Sequence, residues 1–99
     1  MAIIGTKRFT QQGFLQPEAQ QIRLFNVHFV STDSETNMVF SNRASGTTAT
    51  GAFTDYLTVR SSGGIGNWDG HEGMLFPDGV FFETSAGFSY AIVTYITQL

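Results

Sequence analysis

The sequence predicts an all-β protein, a small antiparallel β-sandwich or barrel of the jelly-roll or immunoglobulin-like type with a short N-terminal arm. Three observations lead to this prediction. Apolar and polar residues alternate over short stretches, which is the period of a half-buried strand. Turn-forming Gly, Pro, Asn and Asp separate these stretches, and no long stretch has the i, i+3, i+4, i+7 spacing of an amphipathic helix. The length of 99 residues is that of one domain, which we place at residues 21–99.

Residues 1–20 differ from the rest of the chain. They are rich in Gln, weakly periodic, and carry two of the five positive charges, at Lys7 and Arg8. This composition predicts either an arm that lies across a neighbouring subunit or an edge strand. Residues 1–5 lack the apolar core of a signal peptide, and no apolar run approaches the roughly 20 residues that span a bilayer. We therefore expect a protein that is not exported and has no membrane partner.

The segment 21–30 predicts the first strand of the domain. Its apolar residues occupy both alternating faces, with Ile22 and Leu24 on one face and Phe25 and Phe29 on the other. A strand that is apolar on both faces is usually covered on both. We therefore expect part of this strand to be buried on each side.

The remaining strands follow from the same alternation. Within the strand predicted at 52–61, Phe53, Leu57 and Val59 are expected to face inward. The tripeptide Pro77-Asp78-Gly79 predicts a tight turn before the strand at 80–84, because Pro presets φ and Gly accepts positive φ. These strands are 37–43, 52–61, 80–84 and 88–97, and residues 3–9 and 74–76 add a sixth and a seventh if they pair.

Residues 61–73 are rich in Gly and contain the only Trp, which predicts a solvated loop with Trp68 packed over a sheet edge. The loop is also the candidate ligand site, because an indole stacks on a sugar ring and polar neighbours hydrogen-bond the hydroxyls. The candidate contacts are Asn67, Trp68, Asp69 and His71. A dinucleotide site is disfavoured, since no helix follows the glycines.

Metal and catalytic motifs are incomplete. Asp69, His71 and Glu72 have no further candidate zinc ligand except His28. The acidic segment at 33–37 lacks the Gly and Glu that a calcium loop needs at its sixth and twelfth positions. The chain has no Cys, and no nucleophile–base–orienter pattern stands out. We expect no cofactor, no bound metal and no enzymatic activity, although the sequence leaves a glycan or a metal at the 61–73 loop open.

Composition supplies the main positive indication. Only 13% of residues are charged, against about 25% in a typical soluble domain, and the net charge is −3. A nucleic-acid partner is therefore not expected, because it would need a basic footprint. Ten Phe, three Tyr and one Trp exceed what a small core needs, and interfaces between identical subunits are aromatic-rich and charge-poor. We expect a homo-oligomer, most simply a trimer, although a well-filled interior is the alternative. The candidate interface residues are Phe9, Phe14, Phe25, Phe29, Phe81, Phe82 and Phe88.

The C-terminal third carries a resemblance to a known class of proteins. It lies in the turn and strand at 76–84 (Phe-Pro-Asp-Gly-Val-Phe-Phe-Glu-Thr), in Gly87 and in the alternating strand at 90–95. With the Cys-free, charge-poor composition, this resembles the small virion proteins of tailed bacteriophages, such as capsid decoration or cement proteins and small tail or fibre components. The resemblance implies a non-enzymatic β-sandwich subunit of the virion, assembled in the host cytoplasm. Its implied partners are copies of itself and a larger virion protein such as the major capsid protein.

The competing functional class is a carbohydrate- or receptor-binding module of the adhesin or tail-fibre type. Small β-sandwiches commonly carry ligand sites in the loops at one end. In this hypothesis the 61–73 loop is the binding site.

Overall fold

The computed structural model describes residues 3–17, 20–33, 35–43 and 54–98, and in them all regular structure is β-strand. Two four-stranded antiparallel sheets pack together, so the predicted all-β sandwich is confirmed. We call the sheet with the order β1-β8-β3-β6 the front sheet and the sheet with the order β2-β7-β4-β5 the back sheet. The strands are β1 (Ile3–Phe9), β2 (Gly13–Phe14), β3 (Gln21–Ser31), β4 (Asn37–Asn42), β5 (Thr54–Arg60), β6 (Ile65–Phe76), β7 (Val80–Thr84) and β8 (Phe88–Gln98).

The core lies between the two sheets and is aromatic. Phe29 and Phe76 from the front sheet and Phe40 and Phe82 from the back sheet are fully buried. The rings of Phe40 and Phe82 stack with their centroids 5.7 Å apart. Offset-stacked and edge-to-face rings add roughly 0.5–1.5 kcal/mol per pair beyond the area that they bury. Much of the high Phe content is therefore used inside the chain.

A β-bulge in β3 explains why that strand is apolar on both alternating faces. The pairing of β3 with both of its neighbours shifts register between Leu24 and Asn26. The inward side consequently changes from the even residues Ile22 and Leu24 to the odd residues Val27 and Phe29, all of which are fully buried. A bulge inserts one residue and reverses the parity of the side chains that follow. The bulge therefore accounts for the apolar residues on both alternating faces of β3 by burying both sets on one side of the sheet, and coverage of the other side stays a prediction.

The Gly-rich segment 61–73 is not a loop. Only residues 62–64 form a turn, closed by backbone hydrogen bonds between Ser62 and Ile65 of 2.9 and 3.3 Å. From Ile65 onward the chain is strand β6, which pairs with β3. Gly66 is fully enclosed because the ring of Phe29 lies over it, 2.1 Å from where a Cβ would stand. The glycine that indicated a loop is instead required by close packing of a strand.

Strand β6 carries its own irregularity, a wide bulge at residues 70–73. The paired positions run from Asn26 and Asp69 directly to Leu24 and Met74, so four residues of β6 lie opposite one residue of β3. The bulge contains His71 at φ 50° and Gly73 at φ 89°. Such bulges occur preferentially at sheet edges, where they terminate or redirect pairing.

The N-terminal segment contributes an edge strand to each sheet. β1 lies at the outer edge of the front sheet beside β8, and the two-residue β2 lies at the edge of the back sheet beside β7. Leu15 then enters the core, where its N–H donates to the Val80 carbonyl (3.0 Å) and its carbonyl accepts from the Tyr95 hydroxyl (3.2 Å). Phe53, predicted to face inward, lies outside the described residues.

Candidate interaction surface

The predicted phenylalanine interface does not form a single surface. Phe29 and Phe82 are fully buried within the chain, so assigning them to a subunit interface is wrong. Phe9 and Phe88 pack against the same core, with edge-to-face contacts to Phe82 at 5.4 and 6.1 Å. Phe9 lies on the inward side of β1, whereas Phe88 has the parity of the outward Tyr90 and reaches the core because the register of β8 against β3 shifts between them.

The other three phenylalanines lie outside the core. Phe14 and Phe81 contact each other on the back sheet, with their centroids 5.0 Å apart. The Arg43 guanidinium lies over both rings, 4.7 Å from that of Phe81 and 5.5 Å from that of Phe14. A cation over aromatic faces shields them from water and is itself stabilised. Phe25 is half-buried and lies at the β3 bulge, beside Gly73.

The exposed large apolar side chains of the described residues lie elsewhere, on the outer surface of the front sheet. They are Ile4, Ile65 and Leu75, with exposed fractions of 67%, 48% and 36%. The strand pairing places all three on the side opposite the core. We call this surface the front face, and its four cross-strand rows are Ile4-Ile96-Arg23-Leu75, Thr6-Thr94-Asn26-Asp69, Arg8-Ile92-His28-Asn67 and Tyr90-Val30-Ile65.

Hydrogen bonds and one cation–π contact organise the centre of the front face. His28 Nδ1 donates to the side-chain oxygen of Asn67 at 2.6 Å, which joins β3 to β6. The hydroxyls of Thr6 and Thr94 are hydrogen-bonded at 3.0 Å. The Arg8 guanidinium lies 5.0 Å from the centroid of the Tyr90 ring. The face therefore has apolar ends, a polar middle, and a cation on its β1 side.

The four predicted ligand contacts of residues 67–71 do not converge. Asn67 and Asp69 belong to the front face, whereas Trp68 lies on the inward side of β6 and packs against the core. Its ring covers Gly70, at 2.3 Å from where a Cβ would stand. His71 lies in the bulge, where its N–H donates to Asp69 Oδ1 at 3.2 Å. Strand alternation thus separates the indole from the polar groups that would have surrounded a stacked sugar.

Among the described residues, two of the cavities open away from these positions. One, of about 290 Å³, is polar and is lined by Glu35, Thr36, Asn37, Arg60 and Ser85. The Arg60 Nε–H donates to the Asn37 side-chain oxygen at 3.2 Å, and this hydrogen bond holds the Arg60 guanidinium in the wall of the cavity. The other, of about 280 Å³, lies beside β1 and is lined by Gly5, Lys7, Gln16, Tyr95 and Thr97.

Within the described part of the chain, no group of three or more His, Cys, Asp or Glu side chains is placed to hold a metal ion. The same residues contain no helix long and apolar enough to cross a membrane. The chain matches no protein-family model, no curated protein and no solved structure. Its function must therefore be argued from its own surfaces.

The apolar residues of the front face were missed from sequence, although one signal for them was available. In β8 the even-numbered residues Tyr90, Ile92 and Ile96 are at least as apolar as the odd-numbered Ala91, Val93 and Tyr95. The odd-numbered residues are the buried ones. A strand whose solvent side is this apolar indicates a covered face, and the aliphatic residues rather than the phenylalanines identify it.

Proposed function

We propose that this chain is a non-enzymatic structural subunit of a virion, of the capsid decoration or cement type, that associates with copies of itself and with a larger lattice protein. The observation that carries the proposal is the apolar outer side of the front sheet, where exposed Ile4, Ile65 and Leu75 lie at three corners and half-buried Ile92 and Ile96 lie between them. Large apolar side chains grouped on one surface mark a site that another protein covers. A virion subunit of this kind would be assembled in the host cytoplasm.

The strand order supports the same proposal. The first and last strands are neighbours in the sheet with the order β1-β8-β3-β6, and this order, with β2-β7-β4-β5 in the other sheet, favours the jelly-roll alternative. Jelly rolls are common in viral capsid and lectin domains. One fold hosts many functions, so the strand order favours a structural or a sugar-binding role without distinguishing the two. The residues on the surface must distinguish them.

The edges of the sandwich favour association through a face. The inward-facing Lys7 lies on edge strand β1, β2 is only two residues long, and β6 is interrupted by its bulge. Inward charges, short edge strands and bulges are the features that prevent strand-to-strand addition of another chain. Partner binding through the open front face is consistent with all three.

Binding to particles tests the proposed function directly. Labelled protein is mixed with purified particles of the virus that encodes it, and the bound fraction is measured by co-sedimentation. We expect saturable binding at a fixed ratio to the major capsid protein. Ile4→Asp should weaken it by at least about tenfold, because a carboxylate on a covered apolar face must lose its hydration. Thr58→Asp, which adds the same charge at an exposed position of edge strand β5, should bind like the wild type.

Binding that never saturates, or that Ile4→Asp leaves unchanged, would contradict the proposed role. A glycan-binding module is the second candidate, favoured by the hydrogen-bonded pair of His28 and Asn67 on the same face as Tyr90. Binding to a glycan array that is abolished by Asn67→Ala, together with no particle binding, would establish this second candidate instead.

A further inference from the structure

We infer that the front face is covered by the front face of a second copy of the chain. The two copies are related by a two-fold axis that runs parallel to the strands, midway between the two facing front sheets. This inference deepens the proposed function and takes its biological setting from it. It specifies which partner covers the face and in which orientation. Three properties of the face carry it: its size, the pairing of its apolar residues, and the placement of its charges.

The size of the face fits a protein partner. Four strands spaced about 4.8 Å apart, with four outward rows about 6.6 Å apart, present roughly 500 Å² of flat sheet per copy. The pair therefore covers roughly 1,000 Å² before side-chain relief is added, which reaches the lower bound for a specific protein–protein interface. A face of this size is too large and too flat for a small molecule, which binds in a concave pocket.

The axis direction determines which residues meet. A two-fold axis parallel to the strands reverses the order of the strands and keeps each row at its own height. β1 then lies over β6 of the second copy, and β8 lies over its β3. Ile4, the most exposed of the large apolar residues described, lies opposite Leu75 of the second copy, and Tyr90 lies opposite Val30. Two apolar pairs are thus matched, whereas Ile96 lies opposite Arg23 of the second copy, whose aliphatic stem provides the contact.

The same axis brings opposite charges close together. Arg8 lies opposite Asn67 of the second copy, one row away from Asp69. Sheets pack about 10 Å apart, so an arginine side chain spans the gap and the offset of one row. The contact occurs twice in the pair, once at each side of the interface, as two-fold symmetry requires.

The alternative two-fold axis, perpendicular to the strands, gives a worse match. Centred on the row of Thr6 and Asn26, it places Arg8 against Ile4 and Arg23 against His28 of the second copy. An axis in this direction also stacks each strand on its own copy, so Arg8 on β1 and Asp69 on β6 of the two copies stay three strands, about 14 Å, apart and form no charge pair. The strand-parallel axis is therefore the one we propose. It yields a dimer, in contrast to the trimer that the sequence led us to expect.

Charge exchange tests the inference. The masses of wild type, Arg8→Glu, Asp69→Arg and the double variant are measured by sedimentation equilibrium across micromolar concentrations. We expect the wild type to reach twice the 10.9 kDa chain mass. Each single variant should raise the dimer dissociation constant by about tenfold or more, because it brings like charges together. The double variant, which restores opposite charges in reversed order, should recover most of that loss.

Two controls accompany the measurement. Glu83→Arg makes the charge change of Asp69→Arg at an exposed position of the back sheet, and we expect it to leave the dimer intact. Urea unfolding of every variant verifies that each is folded under the conditions of the mass measurement. A monomeric or trimeric wild type, or a double variant no better than the single ones, would overturn the inference.

Failure of this inference is distinguishable from failure of the proposed function. A monomer that still binds particles saturably overturns the two-fold pairing and leaves the virion role standing. A dimer with the expected charge dependence that binds no particle supports the pairing and overturns the virion role.

Discussion

Gly66 illustrates how one residue controls the packing of an edge strand. The residue is buried within β6, and the ring of the fully buried Phe29 occupies the space that a side chain would need. The ring is fully buried, so any shift of it displaces its neighbours in the core. Sequence alone indicates flexibility at such a glycine, since the same residue type serves turns and close approaches alike. The structure assigns it to close approach.

Gly66→Ala should therefore destabilise the protein. Its Cβ would stand 2.1 Å from Phe29 Cε1, so ring and strand must shift, and we expect a loss of about 1–3 kcal/mol in the free energy of unfolding. Gly5→Ala is the matched control on the other edge strand of the same sheet, because no atom lies within 4 Å of the place where its Cβ would stand. Urea unfolding of both variants makes the comparison, and equal effects would show that Gly66 is not closely packed.

At the scale of the element, the bulges decide what sequence alternation can reveal. The strand positions of β3, β4, β7 and β8 follow from alternation and turn chemistry, and the structure has strands there. Alternation fails where one extra residue reverses the inward side, as at Phe25, and where glycines interrupt a strand, as in β6. The register of a bulge depends on the neighbouring strands, which are distant in sequence. The candidate site was misassigned for the same reason, since Trp68 and Asn67 were expected to act together and lie on opposite sides of β6.

The β6 bulge should be sensitive to substitution of Gly73. Its φ of 89° is unfavourable for any other residue, and a Cβ would stand 2.6 Å from Arg23 Cγ and 2.9 Å from Phe25 Cε1. Gly64 has nearly the same φ, 88°, yet its nearest atom is 3.9 Å away, so Gly64→Ala bears only the backbone strain. We expect Gly73→Ala to lower the free energy of unfolding by about 1 kcal/mol or more beyond Gly64→Ala. Equal losses in urea unfolding would mean that the bulge is loosely packed.

At the scale of the whole molecule, the low charge content has two origins. Part of it reflects the aromatic core, where Phe29, Phe40, Phe76 and Phe82 are fully buried. The front face contributes uncharged surface through Ile4, Ile65 and Leu75, although it also carries Arg8, Arg23 and Asp69. Composition could indicate that some surface is covered, but it could not say which. That assignment requires the strand order, because the face is assembled from four strands that are distant in the chain.

The central claim is that the front face is the association surface of this protein. Hydroxyl-radical footprinting of concentrated and dilute protein tests it most directly, because side-chain oxidation reports solvent exposure at each residue. On going from dilute to concentrated protein, we expect Ile4, Leu75 and Tyr90 to become protected while Val39 and Phe81 of the back sheet stay unchanged. Protection confined to the back-sheet residues, or no protection of the front face at any concentration, would contradict the claim.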